Sequence, residues 1–338
     1  MRSGSVDGEP VAVRSPLPWR RILILLGLVV VVLLLAELAF WIITARRVDR
    51  FGLAPSAEDG RETFVLVGSD SRAFVVTDAD RRSFGDESLV PGERADLIFI
   101  IQIGEDGSRE AWSITRDLLV DLPDGGKTRL ALTLDQGPQV LADAICLSLG
   151  VPVDHLLISD FDGLRHAVDA LGGVDVDVEF PIRDRMTGLD LPPGVTRLDG
   201  EAALAYTRAR SAEIFRDGMW APQQDGAEQR QARATQIMTA VGGTISGRPW
   251  PWPSPTIHRL ANQVAKDIRV SSTVGRGDLQ RLIRAMSDPD LVWRTLSVNE
   301  AQIGDVPLAE PDEVGTGELA NLGSYPAPCG EVGGTVLR

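Results

Sequence analysis

The sequence predicts an α/β protein with helices packed on a central β-sheet. Three observations carry this. Short apolar runs bounded by glycine or polar residues recur at 63–67, 97–103, 110–114 and 155–159. Segments with apolar residues at helical spacing lie among them, at 137–150 and 161–171. Val174-Asp175-Val176-Asp177-Val178 alternates with a period of two, as a half-buried strand does. With 338 residues the chain is long enough to bury one large core.

Taken in order, residues 1–21 are rich in Ser, Pro and Gly and read as a cytoplasmic tail. Residues 22–45 are almost entirely apolar and lie between Arg20-Arg21 and Arg46-Arg47. About 20 apolar residues span a bilayer. The run is too long for a secretory signal and ends without a small-residue cleavage site, so it reads as an uncleaved transmembrane helix. Arginines on both sides leave its orientation open. Glu37 interrupts it, either reaching headgroups, staying neutral, or serving as an intramembrane functional carboxylate.

Residues 46–62 read as a charged stalk and 63–300 as the main domain. Gly150 and Gly172-Gly173 stop the first two helices. Further helices are expected at 228–245, 254–265 and 276–286. The tail, 301–338, has few large apolar residues and is expected to be poorly ordered. Asp175 and Asp177 belong to the solvated face of their strand.

The chain carries a formal net charge of −14 and no concentrated basic face outside the membrane flanks, which argues against nucleic-acid binding. Two cysteines without a CxxC pair and three histidines argue against a Cys/His zinc site. Cys146 and Cys329 are either two free thiols or, outside the cytoplasm, a disulfide.

Against this acidic background four charged clusters sit beside core segments. They are Asp70 with Arg72, Arg94 with Asp96, Arg116 with Asp117, and the pair Arg208 and Arg210. Ends of core strands are where α/β proteins collect ligand sites. Read as extended chain, the i, i+2 spacing of Arg208 and Arg210 puts both guanidiniums on one face. Planar guanidiniums grip phosphate oxygens bidentately. Asp70 and Asp96 are candidates to hold one Mg2+, which favours a few carboxylates together with phosphate oxygens. Taken singly, each cluster has a plainer reading as a turn, a cap or a surface ion pair.

The pieces FVLVGSDSR (64–72), RADLIFI (94–100), WSITRDLLVDLP (112–123), GVPVDHLLISDFDGLRHAVDALGGVDVDV (150–178) and LPPGVTRLDGEAALAYTRAR (191–210) occur in an order that resembles the LytR-CpsA-Psr family of cell-wall ligases. The resemblance covers about 64–245. It implies a three-layer domain with a central mixed sheet flanked by helices, anchored in the cell membrane by a single pass and facing outward. It implies a Mg2+-dependent phosphotransferase that moves a glycopolymer from a polyprenyl-pyrophosphate carrier to peptidoglycan. By motif position, Asp70 and Asp96 would be the metal carboxylates. Arg94, Arg116, Arg208 and Arg210 would form the phosphate clamp, with Arg72, Arg129, Arg230 and Arg233 as further substrate contacts. Asp117 and Asp70 are the candidates for the proton acceptor.

The chain departs from the family pattern in two places. Arg129 stands where a lysine is usual. Ala227 and Ala234 replace the aspartate and glutamine of a DxxRxxRQ helix, leaving Gln231 or Gln236 as the substitute. The alternatives are a non-catalytic member that binds lipid-linked polymer as a scaffold, and a pyrophosphatase acting on the carrier itself.

Overall fold

A computed structural model describes residues 19–54, 60–70, 92–209, 211–223, 227–246, 255–303 and 306–322. The apolar runs of the sequence become neighbours in one mixed sheet of seven strands. In chain order these are β1 (Asp49–Phe51), β2 (Arg61–Ser69), β3 (Ala95–Gly104), β4 (Arg109–Ile114), β5 (His155–Ser159), β6 (Ile268–Ser271) and β7 (Trp293–Thr295). Their spatial order is β1-β6-β5-β2-β3-β4-β7. β2 pairs antiparallel with β3, β3 antiparallel with β4, and β5 parallel with β2.

This pairing decides where chemistry collects. The end of β2, the start of β3 and the end of β4 fall on one edge of the sheet, because Gly68 faces Leu97 and Ile98 faces Ile114. The end of β5 joins them, since Gly68 also faces Ser159. Asp70, Asp96, Arg116 and Phe161 therefore converge from four separate stretches of sequence.

Side-chain parity divides the core between the two faces of the sheet. Val65, Val67, Ile98, Ile100, Trp112 and Ile114 point to one face and pack with Leu141, Ile145 and Leu149 of α2 (Pro138–Leu149). Phe64, Ile101, Ala111 and Leu157 point to the other and meet Leu282 and Ala285 of a helix at Arg276–Met286. A further cluster joins α3 (Phe161–Leu171), α4 (Gly200–Arg208) and α5 (Ala227–Ser246) to the ribbon Val174–Val178/Gly194–Leu198. Asp175 and Asp177 are exposed on that ribbon, as the alternation predicts.

Asp160 and Asp199 cap α3 and α4 by accepting from Gly163 N and Ala202 N, each at 2.8 Å. Gly200 opens α4 where a Cβ would collide with the carbonyl of Arg165 on α3. Gly200→Ala must therefore push the two helices apart. We expect a loss of about 1–3 kcal/mol, the usual cost of overpacking, read as a lower melting temperature.

Three expectations need correcting. The 46–62 segment is not simply a stalk: β1 pairs in parallel with β6, and β2 already begins at Arg61. Backbone pairing, rather than burial of an apolar run, carries β1. Part of the tail has regular structure: Val298–Ile303 pairs with Val306–Pro311, a helix lies at Glu313–Leu322, and 323–338 fall outside the described residues. The structured part docks because Ala309 N donates to Asp117 O at 2.9 Å and Leu322 is fully buried. Arg208 is not on an extended segment; it is the last residue of α4.

The chain divides after Arg46. The apolar run is helical within α1 (Trp19–Arg47), 29 residues long. There the Trp41 indole donates to the Glu37 carboxylate at 2.6 Å, so Glu37 has a partner on its own helix. Among the described residues no helix is long and apolar enough to cross a membrane. Cys146, buried on α2, is disulfide-bonded, and Cys329 lies outside the described residues.

Candidate functional site

A cavity of 360 Å³ opens at the sheet edge where the strand ends converge. Asp70, Asp96, Arg116, Arg208 and Arg230 all line it. Each is delivered by a different element: the exits of β2 and β4, the second residue of β3, the last residue of α4 and the first turns of α5.

Asp70, at the exit of β2, is hydrogen-bonded to Arg94, which precedes β3. Its Oδ1 accepts from Arg94 N at 2.8 Å, and its own N–H donates to Arg94 O at 3.0 Å. Asp96 accepts from Arg116 Nη1 at 2.6 Å. Arg116 also lies 3.5 Å from Asp117, which in turn accepts from Arg129 at 3.3 Å. Burial pushes the Arg116 guanidinium down, but the charges of Asp96 and Asp117 outweigh it and hold its pKa above the usual value. Arg208 lies over the ring of Phe161, 4.9 Å from its centroid, a cation–π contact.

The other predicted site residues are placed differently. Arg94 meets Asp70 through its backbone and is not among the cavity-lining residues. Arg129 is not among them either; it supports the carboxylate of Asp117 behind Arg116. Arg72 and Arg210 lie outside the described residues. Arg233 was expected to touch substrate, but it is only 4 % exposed. Its Nη2 donates to Ala209 O at 2.5 Å and its Nη1 to Gln223 at 3.1 Å. It sits one helical turn past Arg230, beneath the arginine-bearing segment instead of in the cavity.

Sequence reasoning missed a companion to Arg233. Asp184, 1 % exposed, accepts from Ser211 N at 2.9 Å. Arg233 and Asp184 thus fasten the backbone on either side of residue 210. Nothing in the run Arg183-Asp184-Arg185 marks Asp184 as special; only the fold brings it to Ser211. Phe161, by contrast, follows a strand end and could have been found on that ground. Of the proton-acceptor candidates, Asp117 is buried, paired with two arginines and absent from the cavity lining, whereas Asp70 lines it.

Asp160, next to Phe161, has its carboxyl pushed up by burial, and the charges of Asp267 and Asp162 add to this against the Gly163 N–H bond that lowers it. A raised carboxylate pKa means the native state holds its proton to higher pH than the unfolded chain does. Its contribution is therefore most favourable below the unfolded pKa and is lost as pH rises through the folded one. Asp160→Asn keeps an acceptor for the cap and removes the buried charge. Thermal melts should show the variant equal to or more stable than wild type at pH 8, with the advantage shrinking as pH falls.

Fold and site together define an α/β protein whose cavity combines carboxylates with guanidiniums at a sheet edge. The chain belongs to the LytR_cpsA_psr family, whose pattern matches residues 43–289. It is 30% identical over 248 residues to the probable cell wall biosynthesis protein LcpB of Corynebacterium glutamicum, covering 71% of this chain and 55% of that one. It is 29% identical over 223 residues to TagV of Bacillus subtilis, a polyisoprenyl-teichoic acid–peptidoglycan teichoic acid transferase, covering 62% and 54%. The chain thus spans about half the length of these curated relatives. Among solved structures, the LytR-Csp2A-Psr enzyme from Actinomyces oris superposes with a TM-score of 0.66 at 30% identity, over 82% of this chain and 96% of that one.

Proposed function

We propose that this protein transfers a glycopolymer from a polyprenyl-pyrophosphate carrier to peptidoglycan. The observation that carries the reading is one cavity lined by two carboxylates and three arginines drawn from separate elements. The relatives' names agree with it. So does the general chemistry of phosphoryl transfer, in which positioning and electrostatics supply most of the catalysis.

In this mechanism Arg116, Arg208 and Arg230 donate to the non-bridging oxygens of the diphosphate. A sugar hydroxyl of the acceptor attacks the phosphorus next to the glycan. The P–O bond to the lipid-side phosphate breaks, the glycan phosphate becomes a phosphodiester on the acceptor, and the lipid leaves as its monophosphate. On this reading Asp70, the proton-acceptor candidate that lines the cavity, takes the hydroxyl proton. The guanidiniums balance the charge that builds on the leaving phosphate.

The carboxylates of Asp70 and Asp96 offer the hard oxygen donors that Mg2+ prefers, and both face the same cavity, so the residues present fit that ion. Mg2+ bound there would supply further neutralisation of the diphosphate. On this reading the apolar run 22–45 of the sequence anchors the protein in the cell membrane with the domain outside.

The test is an assay with a lipid-pyrophosphoryl oligosaccharide labelled in its sugar, with and without peptidoglycan and Mg2+. Label that moves to the glycan acceptor only when acceptor and metal are present supports the transferase. Release without acceptor identifies a pyrophosphatase, and tight binding without turnover identifies a scaffold; either overturns the proposal.

A further inference from the structure

Asp96 owes its aim to an irregularity in the sheet. Gly68 faces Leu97 but Ser69 faces Ala95, so the β2/β3 ladder skips Asp96. A bulge of this kind re-aims a side chain. Here the skipped carboxylate lines the cavity together with Asp70, the residue after Ser69. The bulge is fastened by side chains outside the cavity lining. Ser69 is fully buried, and its hydroxyl donates to Glu93 Oε1 at 2.6 Å. Arg269 Nη2 donates to the same oxygen. Arg269 belongs to β6, where it faces Ile158 of β5, and Ile158 faces Val67 of β2. Its guanidinium therefore reaches past the ends of β5 and β2 to Glu93, just ahead of β3. The Glu93 backbone is pinned as well. Its N–H donates to Asp135 Oδ1 at 3.2 Å, and Gly92 has a φ of +100° with its Cβ position 2.7 Å from that oxygen, so no larger residue fits.

We propose that Arg269 and Glu93 are positioning residues: through Ser69 they lock the bulge that turns Asp96, with Asp70 beside it, into the cavity. Magnitudes separate this role from a purely structural one. The side chains of Arg269 and Glu93 are 35 % and 23 % exposed, and an ion pair that open to solvent adds little to stability. A displacement of about 1 Å in a group that must meet the reacting atoms costs far more in rate. Loss of the tether is therefore felt in metal binding and turnover before it is felt in folding. This rests on the proposed function of the cavity.

The experiment reads three quantities on the full chain: the melting temperature, Mg2+ affinity by calorimetry without substrate, and kcat and KM with a lipid-pyrophosphoryl oligosaccharide. Arg269→Met keeps the apolar stem and deletes the donor. It should lower kcat by about tenfold and weaken Mg2+ by about threefold to tenfold, with KM within about twofold and the melting temperature within about 2 °C. Arg269→Lys restores a cation and should recover most of both losses. Glu93→Gln keeps the shape, removes the charge and should move the same quantities. The double variant Glu93→Gln/Arg269→Met should lose little more than either single one, because the two residues act as one tether. A lower melting temperature with kcat and Mg2+ affinity intact, or no change in any of the three, would overturn the positioning role. If wild type neither binds Mg2+ nor turns over, the proposed function itself has failed and the tether's role with it. A working wild type matched by its variants sinks the tether alone. Should Arg269→Met not fold, Glu93→Gln and Arg269→Lys carry the same comparison.

Discussion

Replacing Arg208 with alanine is expected to lower kcat/KM by about a thousandfold at temperatures where the protein stays folded. The magnitude follows from removing one preorganised donor that meets charge developing in a transition state, a loss of about 3–4 kcal/mol. Arg208 is the last residue of α4, where a cation interacts with the helix dipole for at most about 1 kcal/mol, and its guanidinium lies over the ring of Phe161. Arg116 makes a poorer probe, since its loss would leave Asp96 and Asp117 without the charge between them. Steady-state kinetics and a thermal melt on Arg208→Ala test the point together; an unchanged rate would remove Arg208 from the mechanism.

Arg233→Met should lose stability first. It keeps the apolar length and deletes the donors to Ala209 O and Gln223. Leaving a buried carbonyl unsatisfied costs about 1–3 kcal/mol. Because Ala209 directly follows Arg208, the same change should slow turnover by about tenfold to a hundredfold at temperatures where the protein stays folded, as expected when a positioned group shifts by a fraction of an ångström. A melt that drops with kinetics intact would mean that Arg233 is structural without positioning the arginine segment.

The site was legible where it follows from strand ends. Asp70, Asp96 and Arg116 flank apolar runs, and a pattern of alternating faces already says that such ends can share an edge. What periodicity does not give is depth. Arg230 and Arg233 differ by one helical turn, and that turn separates a cavity wall from a buried clamp. Strands β1, β6 and β7 were missed because three or four residues with charged members carry no apolar signature; they exist through backbone pairing to neighbours distant in sequence. The tail was misjudged for a related reason. Its low apolar content suggested weak order, yet its hairpin supplies its own ladder and Ala309 fastens it to Asp117. Asp184 was invisible because its partners, Met186, Thr187 and Ser211, are assembled only by the fold.

The central claim is that one cavity grips a diphosphate headgroup with the carboxylates and arginines that line it. Its most direct test is a titration of a short-chain polyprenyl pyrophosphate against the matching polyprenyl alcohol, in wild type and Arg208→Ala, with Mg2+ present. The account predicts that wild type binds the diphosphate at least tenfold more tightly than the alcohol, about 1.4 kcal/mol, and that Arg208→Ala erodes the difference. Equal affinity of wild type for diphosphate and alcohol would contradict it.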